Sequence, residues 1–244
     1  MGSSPIHTAK NDTDNNDNKM KNTLFVFGCS YSSDFEKSGI EKEYELYKNG
    51  WPTSWAEILS EKLNMDLINK SKGSLSNNDI FERFCIESDK IKKDDIVIIG
   101  WSYLNRFRVA DVNSIERWEN ITINSPCHSI SKKTSEEIFI NRTSPLYEIE
   151  IHNWENLIKS YAKCKGFSIY FWNAGIPFQE QDGYLLECVR KRKGDTFIDV
   201  IMSKGGLRII EETKGEILDF HLSENGHVIQ SELFYDEIKK YKQR

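Results

Sequence analysis

No apolar run in this chain approaches the roughly 20 residues needed to cross a bilayer, which excludes an α-helical membrane span. Residues 1–21 lack an apolar stretch of their own and are rich in Asn, Asp, Lys and Ser. They therefore do not read as a secretory signal, and they have too little to bury to fold alone. We expect disorder there; Met20-Lys21-Asn22, directly before the first strand, reads as a native start, with the preceding segment a leader or a true extension. Charge of one sign is missing too. The 33 Lys and Arg nearly balance 38 Asp and Glu, and the net charge of −5 comes with no basic stripe. That argues against a general nucleic-acid binder, and Arg190-Lys191-Arg192-Lys193 reads as solvated helix surface. The five cysteines (Cys29, Cys85, Cys127, Cys164, Cys188) are odd in number and never CxxC-spaced. They fit free thiols in a reducing compartment better than a disulfide framework or a zinc site. The Asn-x-Thr matches at Asn120 and Asn141 then read as chance, and cytoplasmic synthesis is the default expectation.

What the chain does have is a series of short apolar runs alternating with helical periodicity. Leu24-Phe25-Val26-Phe27 reads as a strand buried on both faces and ends at Gly28, which permits a sharp turn. Pro52 suits a helix entry, and Trp55, Ile58, Leu59 and Leu63 follow at helical spacing. A short strand over 66–69 precedes turn and N-cap residues at 72–78, and a helix over about 78–90 would bury Ile80, Phe81, Phe84 and Ile91. Residues 95–101 make the clearest central strand. Between about 103 and 150 the periodicity fades, and this insertion is expected to hold short helices or a hairpin. A helix over 151–164, a strand over 167–172, a further strand over 196–200 and a last helix over 223–242 complete the chain. That last helix would place Val228, Ile229, Leu233, Phe234 and Ile238 on one face. Such alternation predicts one α/β domain over 22–244, with a parallel sheet covered on both sides and right-handed crossovers.

Ser30 lies just past the carboxyl end of the first strand, where open α/β sheets form their ligand crevice. A serine hydroxyl needs a base before it can attack. His221 is the best candidate for that base, and Asp219 could fix its tautomer and stabilise the imidazolium. Taken alone, an Asp-x-His pair is more often a surface or capping pair. The ordered series changes that reading: Gly28-Cys29-Ser30, then Asn69 to Gly73 after the second strand, Gly100-Trp101-Ser102 after the third, and Asp219-Phe220-His221 before the last helix.

In this order the chain resembles the SGNH hydrolases, or GDSL esterase/lipase superfamily, over roughly 23 to 240. Gly28-Cys29-Ser30-Tyr31 matches the Gly-Asp-Ser-Leu block, Gly73 the second-block glycine, and Asp219-Phe220-His221 through Gly226-His227 the last block. The resemblance implies a flavodoxin-like three-layer α/β/α sandwich around a parallel five-stranded sheet, with no metal and no cofactor. It implies Ser30 as nucleophile, His221 as base and then acid, Asp219 as orienting carboxylate, and the N–H groups of Ser30 and Gly73 in the oxyanion hole. The family's third block, Gly-x-Asn-Asp, is replaced by Gly100-Trp101-Ser102-Tyr103, so the third oxyanion donor is either the Ser102 hydroxyl or Asn105. Variant subgroups with Gly-Cys-Ser and Trp-Ser/Thr at these blocks look similar. Cys29 in place of Asp, and Leu222 in place of Pro, remove no proton-transfer group.

Arg106 and Arg108 could hold an anionic substrate group, and Trp101 or Trp118 could stack on a sugar face. Against this stand local ion pairs for the arginines and burial for the tryptophans. His227 reads as a packed or locally capped helix-start residue, Cys29 as a small buried hydrophobe, and His128 and His152 as surface or insertion residues. The expected activity is hydrolysis of a small ester, with an O-acetyl group on a carbohydrate first among substrates. An O-acyltransferase and a catalytically weak binding module remain the alternatives. A phosphate cradle is disfavoured because the loop after the first strand lacks the required glycines.

Overall fold

A computed structural model of the chain describes residues 21–103, 106–110, 118–121, 144–173 and 197–242. Strand β1 (Thr23–Gly28) is buried along nearly its whole length. Its side chains divide by parity, Leu24 and Val26 entering one hydrophobic layer and Phe25 and Phe27 the other. This is why the run is apolar without alternation.

Strands β2 (Asp66–Asn69) and β3 (Ile96–Trp101) pair with β1 in parallel on either side. Numbering in chain order, the next two strands, β4 (Phe107–Ala110) and β5 (Trp118–Ile121), form a separate antiparallel pair inside the insertion. Strand β6 (Ser168–Asn173) adds to β3, and the sheet order is β2-β1-β3-β6. The chain leaves β1 toward one edge and returns across it to β3. The crevice of such a sheet therefore opens between the carboxyl ends of β1 and β3.

Two pairs of long helices cover the sheet. On the Leu24 side lie α3 (Trp55–Leu63) and α8 (Glu224–Lys242), burying Trp55, Ala56 and Leu59 against Phe234 and Ile238. On the Phe25 side lie α4 (Asn77–Glu87) and α5 (Ser144–Lys165), burying Ile80 and Phe84 beside Ile151 and Ile158. Ser54 and Ser76 cap α3 and α4, each in a reciprocal box with an acidic residue three positions on. Short helices α1 (Phe35–Ser38), α2 (Lys42–Lys48) and α7 (Ile209–Glu212) close a smaller cluster of Phe35, Ile40, Tyr44, Ile209 and Ile217.

The α/β/α architecture agrees with the sequence reading, with three corrections. Residues 196–200 do not form a strand: Phe197–Ser203 is a helix, α6. Its buried residues are Phe197, Ile198 and Ile201, while Asp199 faces solvent. A strand's period of two would have put Asp199 on the inner face with Phe197 and Ile201. The parallel sheet among the described residues thus has four strands, not five. Helix α5 begins at Ser144, seven positions before the periodicity became legible. Val228 lies outside the buried face of α8, at 36% exposure. The expected helix surface at Arg190-Lys191-Arg192-Lys193 falls outside the described residues, as do residues 1–20 and Asn105.

Candidate active site

Ser30 sits in a tight turn directly after β1. The Cys29 carbonyl accepts the N–H groups of both Ser32 (3.0 Å) and Ser33 (3.2 Å), which turns the chain away from the sheet. Among the described residues the Ser30 N–H donates to no carbonyl, so it stays available at the strand end. Asn69, at the end of β2, fastens the turn by donating to the Ser32 carbonyl (3.0 Å) and to Asp34 Oδ1 (2.9 Å). Ser30 is buried at 3% exposure, and its Oγ has no hydrogen-bond partner among the described residues.

Gly28 and Gly100 are register partners on β1 and β3. The Ser32 hydroxyl lies over both, and a Cβ on either would meet its Oγ at 2.2 Å and 2.5 Å. Glycine is therefore required at both positions for the turn to seat on the sheet.

Asp219 and His221 form the second half of the constellation. Asp219 Oδ1 accepts both the His221 backbone N–H (2.8 Å) and Nδ1–H (2.7 Å), and Oδ2 accepts the Glu41 N–H (3.2 Å). Burial raises the Asp219 carboxyl, but the hydrogen bonds and charge of His221, with the Glu41 N–H, outweigh it and hold the pKa below its ordinary value. Because the carboxylate takes the proton-bearing Nδ1, the lone pair of His221 lies on Nε2. That atom makes no hydrogen bond among the described residues, and the ring is a quarter exposed. Two backbone bonds pin the segment to the start of α7, from Ile210 N–H to the Asp219 carbonyl and from Ile209 N–H to the His221 carbonyl, each 2.9 Å.

Tyr31 connects the two halves. Its ring packs against His221 (5.1 Å between centroids), its carbonyl accepts Trp55 Nε1–H (2.9 Å), and its hydroxyl meets that of Tyr103 (3.4 Å). Burial and the Tyr103 hydroxyl push the Tyr31 phenol well above its ordinary pKa, so it stays neutral. The dyad Asp219–His221 is formed, then, and Ser30 stands beside its aromatic neighbour, while the bond between Ser30 Oγ and the imidazole is not made in this structure.

Three expectations change. Gly73 donates its N–H to the Lys37 carbonyl (2.9 Å), so this donor is already engaged. Its glycine identity serves packing, since a Cβ there would lie 2.2 Å from the Ser38 carbonyl oxygen. Trp101 is no sugar platform: it is fully buried, stacks on Phe171 and donates Nε1–H to the buried Glu155 (2.8 Å). Arg106 makes a different contact from the one expected, donating from Nη1 to Ser102 Oγ (3.3 Å) over the Tyr103 ring. Ser102 follows the last residue of β3, two positions beyond Gly100. His227 is a packed helix-start residue, and its partner is remote: Nδ1 accepts the Trp55 N–H (3.0 Å) at the start of α3. The side chains of Arg108 and Trp118 lie outside the description. Among the described residues no cluster of His, Cys, Asp and Glu could hold a metal ion, and no helix is long and apolar enough to cross a membrane.

Sequence reasoning missed Asn77. Its side chain pairs with the Ser102 backbone as another peptide would, Oδ1 accepting the N–H (2.7 Å) and Nδ2 donating to the carbonyl (3.3 Å). An amide placed directly after a capping serine, at the first position of a helix, was the available signal.

No family model matches the chain, and no curated protein matches it either. Solved structures do. The psychrotrophic esterase EstA from Pseudoalteromonas sp., solved with monoethylphosphonate as inhibitor, is 13% identical over 91% of this chain and 100% of its own, with a TM-score of 0.41. A Bacillus subtilis protein, YxiM, is 12% identical over 91% of this chain and 57% of its own, with a TM-score of 0.43. A Desulfitobacterium hafniense protein assigned to the G-D-S-L lipolytic family is 14% identical over 88% of this chain and 98% of its own, with a TM-score of 0.30. At identities and TM-scores this low, function has to be argued from the site residues themselves.

Proposed function

We propose that the protein is a serine esterase of the SGNH type that cleaves a small ester through an acyl-enzyme on Ser30. The observation that carries this reading is the Asp219–His221 dyad. The carboxylate is held by three hydrogen bonds and leaves the Nε2 lone pair of an imidazole that packs on Tyr31, the residue next to Ser30. In the reaction Ser30 Oγ attacks the ester carbonyl carbon as its proton passes to His221 Nε2. The carbonyl oxygen becomes an alkoxide that the Ser30 N–H and the Ser102 hydroxyl would stabilise. The C–O bond to the alcohol then breaks, and the departing oxygen takes the proton from Nε2. Water repeats the sequence on the acyl-enzyme and regenerates Ser30.

The depth of Ser30, at 3% exposure, favours a small acyl group, and an O-acetyl group on a carbohydrate is the first substrate class to test. The missing Ser30–His221 bond is the observation that favours a second reading, a module of this fold with weak catalysis. One experiment separates them. A fluorophosphonate probe is expected to label Ser30 in the purified protein, and Ser30→Ala to abolish both labelling and hydrolysis of para-nitrophenyl acetate. An unlabelled protein, or a Ser30→Ala variant of undiminished activity, sinks the esterase reading.

A further inference from the structure

The hydroxyl that replaces the expected amide at the third oxyanion position raises a physical difficulty. A serine rotor can point its proton in several directions, and an oxyanion donor has to be oriented before the charge develops. The structure answers this with two residues that the esterase reading did not require.

Ser102 is fully buried, and its backbone is fixed on both sides by Asn77, which is itself 1% exposed. The residue therefore cannot shift along or away from the end of β3. Gly28 and Gly100 are the last register pair of β1 and β3. Each serine follows its glycine by two residues, past the carboxyl end of its strand, and adjacent strands lie only about 4.8 Å apart, so both segments leave the sheet at the same crevice.

The hydroxyl rotor is set by Arg106. Its Nη1 donates to Ser102 Oγ at 3.3 Å, and among the described residues no carboxylate pairs with the guanidinium. A guanidinium has donors and no acceptor, so Ser102 cannot donate back to it. With one lone pair taken by a cation, the hydroxyl proton has to point elsewhere, and the positive charge makes that O–H a stronger donor. Arg106 is in turn seated on the Tyr103 ring (5.7 Å to the centroid), whose hydroxyl meets Tyr31 beside His221.

We propose that Arg106 is a positioning residue that polarises and orients the Ser102 hydroxyl as the oxyanion donor, on a backbone that Asn77 holds in place. This rests on the esterase reading, and it replaces the simpler idea that Arg106 grips an anionic part of the substrate.

The test uses the full chain in the parent and in the variants Arg106→Met, Arg106→Lys, Ser102→Ala and the Ser102→Ala/Arg106→Met double. Three quantities are read: the rate of fluorophosphonate labelling at Ser30, and kcat and KM for para-nitrophenyl acetate. Loss of an oxyanion donor costs on the order of 100-fold in kcat, and loss of its orientation about 10-fold. Arg106→Met is expected to lower kcat and the labelling rate about 10-fold with KM little changed. In the Ser102→Ala background it should have no further effect, because nothing is left to orient. Arg106→Lys keeps a cation without an acceptor, and is expected to recover part of the rate. If Arg106→Met does not fold, by circular dichroism, then Arg106→Lys and Arg106→Gln decide in the same two backgrounds. A rise in KM with kcat unchanged, or equal losses with and without Ser102, overturns the inference and leaves the esterase reading intact. A parent protein whose Ser30 is not labelled overturns the reading, and the inference falls with it.

Discussion

Replacing His227 with Asn isolates one buried imidazole and changes how stability depends on pH. His227 is 2% exposed, packs 4.4 Å from the Phe35 ring and accepts the Trp55 N–H through Nδ1. Burial, with the nearby His221, pushes its pKa from 6.5 down to about 3. The unfolded chain therefore takes up a proton at this residue near pH 6.5, while the folded protein refuses it until about pH 3. The stabilisation from a neutral His227 is complete above pH 6.5 and is lost as the pH falls below it. One proton corresponds to about 1.4 kcal/mol per pH unit once the unfolded imidazole is fully charged, so acidification from 6.5 to 4.5 costs about 2.3 kcal/mol at this site. Asn Oδ1 can take the place of Nδ1 toward Trp55, but it has nothing to protonate, and its smaller side chain gives up the Phe35 contact for about 1–2 kcal/mol. The variant should be less stable than the parent at pH 7.5 and should overtake it about one unit below 6.5. Asp219, held below its ordinary value, titrates beneath the window. Urea unfolding followed by tryptophan fluorescence at half-unit steps from pH 7.5 to 4.5 measures the difference. A parent-minus-variant stability that is flat across that range, or that grows on acidification, would refute the reasoning.

Three other outcomes follow from the described contacts. Asp219→Asn leaves a neutral acceptor opposite His221 Nδ1 and permits the wrong tautomer, so kcat is expected to fall by about 10³-fold or more with the fold intact by circular dichroism. Trp101→Phe removes the donor to Glu155 and is expected to lower stability by about 1.5–3 kcal/mol while KM stays put. A raised KM without a change in melting temperature would return Trp101 to the substrate. Gly73→Ala drives a Cβ to within 2.2 Å of the Ser38 carbonyl oxygen, so the turn after β2 must move. Lower stability together with slower labelling of Ser30 is the expected result, and a fully stable, fully active variant would show that the Lys37–Gly73 contact is dispensable.

The sheet was legible because its strands are short, apolar and set between turn residues, and β2 matched the expected span residue for residue. The Asp219–His221 pair was equally legible, since two positions of separation suffice for one carboxylate to meet both the backbone and the ring. What stayed hidden were partnerships between distant segments. Asn77 looks like one more helix-start amide until Ser102 is seen against it. Gly73 looks like an oxyanion donor until Lys37 is found taking its N–H. Trp101 follows the central strand's last glycine at the crevice end and still points into the core, because side chains alternate along a strand and its parity is that of Phe25's layer. Residues 196–200 misled because a buried helical turn and a buried strand share the same composition, and only the outward Asp199 tells them apart.

Tyr44, on α2, accepts the first N–H of α8 at 2.9 Å and donates to Glu212, while the next loop residue upstream of α2, Glu41, binds Asp219. These bonds span 168 to 180 positions of sequence. The segment after β1 thus holds in place a loop made at the far end of the chain. A ribosome-bound chain that has already formed β1, β2 and β3 would carry Ser30 but not yet the loop with Asp219 and His221. Contacts of such high sequence separation form slowly, since the loop-closure cost comes before any contact is gained. The loop that carries Asp219 and His221 would then be among the last parts of the described fold to be fixed in place, after β1 and the turn at Ser30.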